Sequence, residues 1–224
     1  MTGSWNVAGF PSDRWRMQYV DGLIRTGILD FEKIHDFKTM QMVLDVLRRR
    51  VGSPVSYTSI AEDMQVAPGT VKRYIQILES LYIIFRVVPF SRNIARSILK
   101  EAKIYFFGTG LVQGDEGMKF ENMVALCLLK HVYAQVDLKG QPIALHYMRT
   151  KDGAEVDFCL VRDNKPELMI EAKRSDPAPG RSLLNFHKRY GISGMQVVLN
   201  LKREKEDRGI EIRRAQDYLC SLLI

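Results

Sequence analysis

The 224-residue sequence has no run of about 18 apolar residues, the least that spans a bilayer as a helix. Its most apolar stretch, residues 75–90, is broken by Gln76, Glu79, Ser80 and Arg86. The amino terminus mixes Trp5, Asp13, Arg14 and Arg16 among apolar residues, which is not the pattern of a secretory signal. Cysteine is scarce. The three present, Cys127, Cys159 and Cys220, are an odd number without C-x-x-C spacing, which argues against both a disulfide framework and a zinc site. They suit a reducing, cytoplasmic compartment, and their apolar surroundings predict that they behave as small hydrophobes. A Walker A motif is missing, so the chain carries no ATP site of its own. There is no G-x-S-x-G elbow, and none of His35, His131, His146 and His187 stands in a recognisable pairing with a nucleophile.

What remains is an ordinary globular composition. With 46% hydrophobic and 26% charged residues the chain lies outside the range of disordered proteins. Its length corresponds to one or two domains of about 150 residues. The net charge of +7 is unevenly placed: residues 1–100 hold 14 basic and 9 acidic side chains, residues 101–224 hold 19 and 17. A moderate basic excess in the first half is compatible with a polyanionic partner.

Three segments are expected: an amino-terminal helical segment (1–37), a compact unit (38–107) and a larger domain (108–224). The first has a turn at Gly9-Phe-Pro11 and a helix from about Asp13 to Thr26. In the second, Met40, Val43, Leu44 and Leu47 recur at helical spacing, and Arg48-Arg49-Arg50 suit the negative end of that helix. Ser59-Ile-Ala-Glu62 has capping-box spacing, and Pro68 is placed to open a helix through Ser80. Strands are expected over 81–88 and 104–107, with a basic loop between them. Helix, helix, turn, helix and β-hairpin is the order of a winged helix-turn-helix, which puts the helix after the turn into a DNA major groove. Lys72, Arg73 and Gln76 would then face outward, with Arg92, Arg96 and Lys100 on the wing.

The larger domain carries the chemistry. A helix is expected from about Phe120 to Ala134, with Glu121 on the same stripe as Ala125, Leu128 and Val132. A carboxylate on an inward stripe needs a partner or a metal; a glutamate near a helix amino terminus is also favoured by the dipole. Three strands follow, 144–149, 154–161 and 167–173, separated by Lys151-Asp-Gly153 and Asp163-Asn-Lys-Pro166. On the third, Met169, Glu171 and Lys173 share one face, with Glu171 and Lys173 about 7 Å apart. Asp157 sits in the middle of the neighbouring strand. A helix around 182–190 and a strand over 195–201 complete an α-β-β-β-α-β order.

An Asp, a Glu two residues before a Lys, and a helical Glu, on elements in that order, resemble the PD-(D/E)XK nuclease superfamily. Over nearly the whole chain, the sequence from the Gly9-Phe-Pro11 turn through KIYFFGTGL, FENMVA, EVDF and IEAKRS is similar to the carboxy-terminal region of a prokaryotic ATPase family. In that family an AAA-like P-loop module precedes a winged helix and a nuclease-like domain of unknown function. The chain departs from it at Gly108, where an aspartate is common. The resemblance, with the ATPase module missing, suggests a fragment, a truncated gene or a piece made for expression.

The fold expected is therefore α/β (α+β overall), a winged helix followed by a nuclease-like core. The resemblance implies that Asp157, Glu171 and the Ala172 carbonyl hold Mg²⁺ or Mn²⁺, with Glu121 completing the site or holding a second ion. Lys173 would orient or deprotonate the attacking water and neutralise developing charge. Arg149, Lys151 and Arg174 could approach flanking phosphates. The expected partners are DNA and an ATPase module. The alternative is a non-catalytic module that binds nucleic acid or a partner and regulates an AAA-like ATPase.

Overall fold

The computed structural model describes residues 13–30, 37–91, 101–176 and 178–222, without the side chains of 13–15 and 26–30. The chain is mixed α/β and divides into two compact units, 1–86 with 104–114, and 87–103 with 115–224. The division falls inside two strands and not at a single boundary. The turn at Gly9 and the wing residues Arg92, Arg96 and Lys100 lie outside the described residues.

The first unit begins with α1 (Asp13–Asp30), α2 (Phe37–Arg49), a two-residue strand β1 (Pro54–Val55), α3 (Tyr57–Met64) and α4 (Pro68–Ser80). The apolar stripe expected on α2 is buried: Met40, Val43, Leu44 and Leu47 are all inaccessible. Arg48 is buried as well, its Nε donating to the Leu111 carbonyl at 2.6 Å. The capping box expected at Ser59 is displaced. Ser56 is the cap of α3, its hydroxyl accepting from the Ser59 backbone N–H at 3.3 Å, so Ser59 is already the third helical residue. The proximate reason is geometric: Ser56 has the extended backbone of a cap, and Ser59 does not. Pro68 does open α4, whose Val71, Tyr74, Ile75 and Leu78 are buried. Tyr82 adopts φ +54°, which delays the next strand to β2 (Ile84–Pro89). In this unit β3 (Ala102–Phe106) lies between β1 and β2, and a short 3₁₀ turn, Thr109–Leu111, follows.

The second unit is built on a mixed sheet. After α5 (Glu116–Lys139) come β4 (Ile143–Arg149), β5 (Glu155–Arg162) and β6 (Lys165–Lys173), then α6 (Arg181–Tyr190) and β7 (Ser193–Val198). The pairs β4/β5 and β5/β6 are antiparallel, and β6/β7 is parallel, with Glu171 opposite Gln196. Val88 and Pro89 of β2 pair in parallel with β4. Beyond the expected core the chain adds β8 (Lys205–Asp207), β9 (Ile210–Arg214) and α7 (Ala215–Ser221); β9 pairs in parallel with β7 and extends the sheet.

The β5–β6 turn is tighter than Asp163-Asn-Lys-Pro166. Asp163 and Asn164 alone make it, both at positive φ (48° and 60°), the geometry of a two-residue hairpin turn that Asp and Asn tolerate. Met148, Val156, Cys159, Val161, Met169 and Ile210 of the sheet pack with Leu183, Leu184 and Phe186 of α6. Among the described residues no helix is long and apolar enough to cross a membrane. Cys159 fits the expectation of a small hydrophobe, its thiol pushed up to about 12 by burial, but Cys220 is exposed on α7 because its neighbours Tyr218 and Leu219 take the inward positions.

Candidate metal centre and its buried lysine

The α5 helix begins four residues earlier than its sequence suggests. Asp115 caps it, accepting from the Met118 backbone N–H at 2.8 Å. Glu121 therefore sits in the second turn, beyond the reach of the dipole interaction of a first-turn glutamate. It is held instead by a cation that sequence reasoning left out. Lys103, on β3, places its Nζ 2.8 Å from Glu155 Oε1, 3.4 Å from Asp157 Oδ1 and 3.5 Å from Glu121 Oε1. Its side chain is 1% exposed, against 20–23% for the three carboxylates. The ring of Tyr147 lies 5.4 Å from the ammonium. Burial pulls the Lys103 pKa down, but Asp157, Glu121 and Glu155 outweigh it and hold the group above the ordinary lysine value.

Asp157 also ties the two central strands together. Its Oδ2 accepts the Ala172 backbone N–H at 3.0 Å. In an extended strand the N–H and C=O of one residue point to the same side, so the Ala172 carbonyl, like its N–H, is on the β5 side of β6. The next carbonyl, that of Lys173, turns the other way and accepts from Leu199.

Glu171 is buried, at 7% exposure, and Lys173 Nζ lies 2.7 Å from its Oε1. Its Oε2 is buried without a hydrogen-bond partner. Desolvation raises the Glu171 pKa, Lys173 opposes the shift, and the net direction is upward. For Lys173 burial acts downward, yet the hydrogen bond and charge of Glu171 prevail and its pKa is raised. Lys173 is thus an ammonium at neutral pH. That form suits the charge neutralisation expected of it.

A second residue missed in the sequence, Gln196, arranges the approach to Glu171. It is fully buried on β7. Its Nε2 donates to the Asp176 and Ala178 carbonyls at 2.8 and 2.9 Å, and its Oε1 accepts from Gly180 N–H at 3.0 Å. These bonds press Gly180, the cap residue of α6, against the Glu171 carboxylate, and a β-carbon there would overlap both carboxylate oxygens. The signal was faint: one polar residue inside the apolar run Met195-Gln-Val-Val198. Gly180→Ala is expected to cost about 1–3 kcal/mol of stability, as overpacking does, and to displace Glu171. A thermal melt alongside a divalent-ion titration checks both effects.

The phosphate-facing candidates are scattered. Lys72 and Gln76 are exposed on α4 and Arg73 is half-buried beside them. Arg149 is partly spent on Glu155 at 3.3 Å, whereas Lys151 and Arg174 are exposed. Arg149 and Lys151 line a groove of about 870 Å³ with Phe186, Arg189 and Tyr190. The histidines make backbone or amide contacts: His146 Nδ1 lies 3.2 Å from the Val88 carbonyl and His187 Nδ1 2.8 Å from that of Ile192. His131 lies 3.4 Å from Gln135 Nε2, and His35 is outside the described residues.

Among the described residues no three His, Cys, Asp or Glu side chains form a ready-made metal cage. A hydrated hard cation does not require one. Magnesium is commonly held by one or two carboxylates and keeps most of its waters. Asp157, the Ala172 carbonyl and the unpaired oxygen of Glu171 fit that donor set, all oxygen and sparing in number.

Two family models divide the chain. One, a domain of unknown function (DUF8612), matches residues 8–118, and another, a domain of unknown function (DUF4143), matches residues 116–218. Their junction lies at the start of α5. The chain is 24% identical to an uncharacterized protein of Mycobacterium tuberculosis, Rv2008c, over 77% of its own length and 40% of the relative's. It is also 24% identical to an uncharacterized protein of Methanocaldococcus jannaschii, MJ1637, over 76% of this chain and 33% of that one. The chain thus spans two fifths or less of these curated relatives. No solved structure matches it.

Proposed function

We propose that this chain is the nucleic-acid-binding, nuclease-like part of an AAA-like ATPase arrangement, with a divalent-metal centre on β5 and β6. The observation that carries this reading is the contact between Asp157 Oδ2 and the Ala172 N–H, beside the buried, unpaired oxygen of Glu171. It supports reading Asp157, the Ala172 carbonyl and Glu171 as the donors that a hydrated Mg²⁺ or Mn²⁺ would use. When bound, such an ion would acidify water and offset charge on a phosphate. Asp157 and Glu171 would hold it with the Ala172 carbonyl. Lys173, as an ammonium 2.7 Å from Glu171, would neutralise charge gathering on the phosphate oxygens. Lys151 and Arg174, both exposed, would meet neighbouring phosphates.

The first unit supplies DNA binding in this reading. The order of α2, α3, α4, β2 and β3 suits a winged helix, and α4 offers Lys72 and Gln76 four residues apart on its exposed side. Lys72→Ala is expected to weaken duplex binding and reduce the slope of log K against log salt by about 0.9, one phosphate contact. Fluorescence anisotropy at four salt concentrations measures it, and an unchanged slope removes Lys72 from the interface. The cleavage test is direct: purified protein with Mn²⁺ should nick single-stranded, duplex or branched DNA, and Lys173→Ala should stop it.

A second reading is favoured by Lys103. An ammonium already engages Glu121 and Asp157, which suits a binding platform that regulates an ATPase without cleaving. Divalent-ion binding without cleavage of any of the three DNA classes would select it.

A further inference from the structure

Four carboxylates, Glu121, Glu155, Asp157 and Glu171, belong to one electrostatic cluster with two lysines, Lys103 and Lys173. Their formal sum is −2, and Arg149, paired with Glu155 at 3.3 Å, brings it to −1. One divalent ion leaves +1; two would leave +3 in a place where Glu171 and Lys103 are almost inaccessible. The lysines are not equivalent. Lys173 is 39% exposed and pairs with one carboxylate. Lys103 is enclosed, with oxygens from α5 and from two positions of β5 around its Nζ and the Tyr147 ring 5.4 Å away. Tyr147 is itself fixed, its hydroxyl donating to the Glu101 carbonyl at 2.7 Å. Lys103 therefore has no exposed direction in which to withdraw.

We infer that the Lys103 ammonium stands in place of a second cation, so that the centre takes one divalent ion and Glu121 serves Lys103 instead of a metal. This rests on the metal reading above and specifies its stoichiometry. Glu121 and Asp157 would both be drawn on by a two-ion site, yet they share the same Nζ at 3.5 and 3.4 Å. A second dication between them would have to sit against a fixed positive charge. Asp157 can serve both, because its Oδ1 faces Lys103 while its Oδ2 faces Ala172. Glu155 completes the lysine's shell at 2.8 Å, and Arg149 backs it at 3.3 Å.

The test uses Mn²⁺ alone with the full chain, read by calorimetry and by electron paramagnetic resonance. Wild type is expected to bind one Mn²⁺ with an uncoupled spectrum. Glu121→Gln should leave the affinity within about threefold, while Asp157→Asn lowers it by about 100-fold or more. Lys103→Met should free Glu121 and Glu155 to admit a second, spin-coupled Mn²⁺. Should that variant fail to fold by circular dichroism, the Glu121→Gln comparison in an intact protein decides. Two Mn²⁺ in wild type, or a loss of about 30-fold or more in Glu121→Gln, would overturn the inference. No Mn²⁺ binding by wild type at all would overturn the metal reading beneath it.

Discussion

Lys103→Met is expected to lower the stability of the protein by about 3–5 kcal/mol, the cost of removing one partner from a buried ion cluster. Methionine approximates the length of the lysine stem, so the loss comes from charge and not from a cavity. It leaves Glu121, Glu155 and Asp157 facing one another without the cation that all three approach within 3.5 Å. In a chain of this size the loss corresponds to roughly 6–20 °C in Tm. Adding Glu155→Gln to the methionine variant removes the charge nearest the vacated ammonium and is expected to recover part of the loss.

The pH dependence has a definite sign. The folded pKa of Lys103 is raised, so its contribution is fully present below the ordinary lysine value of 10.5 and fades only as pH climbs through the higher folded value. The gap between wild type and variant should therefore be flat from neutral pH to about 10. Urea denaturation at several pH values measures it. A cost under about 1 kcal/mol, the level of a surface pair, would mean that the ammonium is solvated after all.

The second large effect concerns function. Asp157→Asn retains an acceptor for the Ala172 N–H but loses the negative charge, so the strands stay joined while the ion loses its main attraction. Divalent-ion affinity is expected to fall by about 100-fold or more, beyond the 10–100-fold typical of residues one step removed from a metal. Any cleavage activity should fall with it. Lys173→Ala should separate the two properties: affinity held or improved, since a nearby positive charge is gone, with turnover reduced by about 10²–10³ if the ammonium stabilises the transition state. A parallel loss in both would assign Lys173 to folding the site.

Much of this arrangement is legible in the sequence because it is local. The β4–β5–β6 meander announces itself through alternation and turn residues, and α4 through Pro68 and its apolar stripe. The side-chain contact of Asp157 with the Ala172 N–H is not legible: the register sets Asp157 opposite Glu171, and only the structure shows the bond one residue on. Lys103 is not legible either. It stands one residue ahead of the apolar run Ile104-Tyr-Phe-Phe107, at the end of a basic stretch, and reads as the last polar residue of a loop. Only the start of β3 at Ala102 and its distance from β5 turn it inward. Gln196 is similar: its partners lie 16 to 20 residues away, at Gly180, Ala178 and Asp176. Glu121 was legible as a residue in need of a partner, but the partner could be identified only from contacts distant in sequence. Helix starts shifted because caps are chosen by backbone geometry, which favoured Ser56 and Asp115.

Anomalous diffraction from crystals soaked in Mn²⁺ tests the central claim most directly. The account predicts one anomalous peak per chain, bounded by Asp157, Glu171 and the Ala172 carbonyl, with the Lys103 ammonium still among Glu121, Glu155 and Asp157. A peak lodged between Glu121 and Glu155 with Lys103 displaced, or no peak under conditions that saturate solution binding, would contradict it.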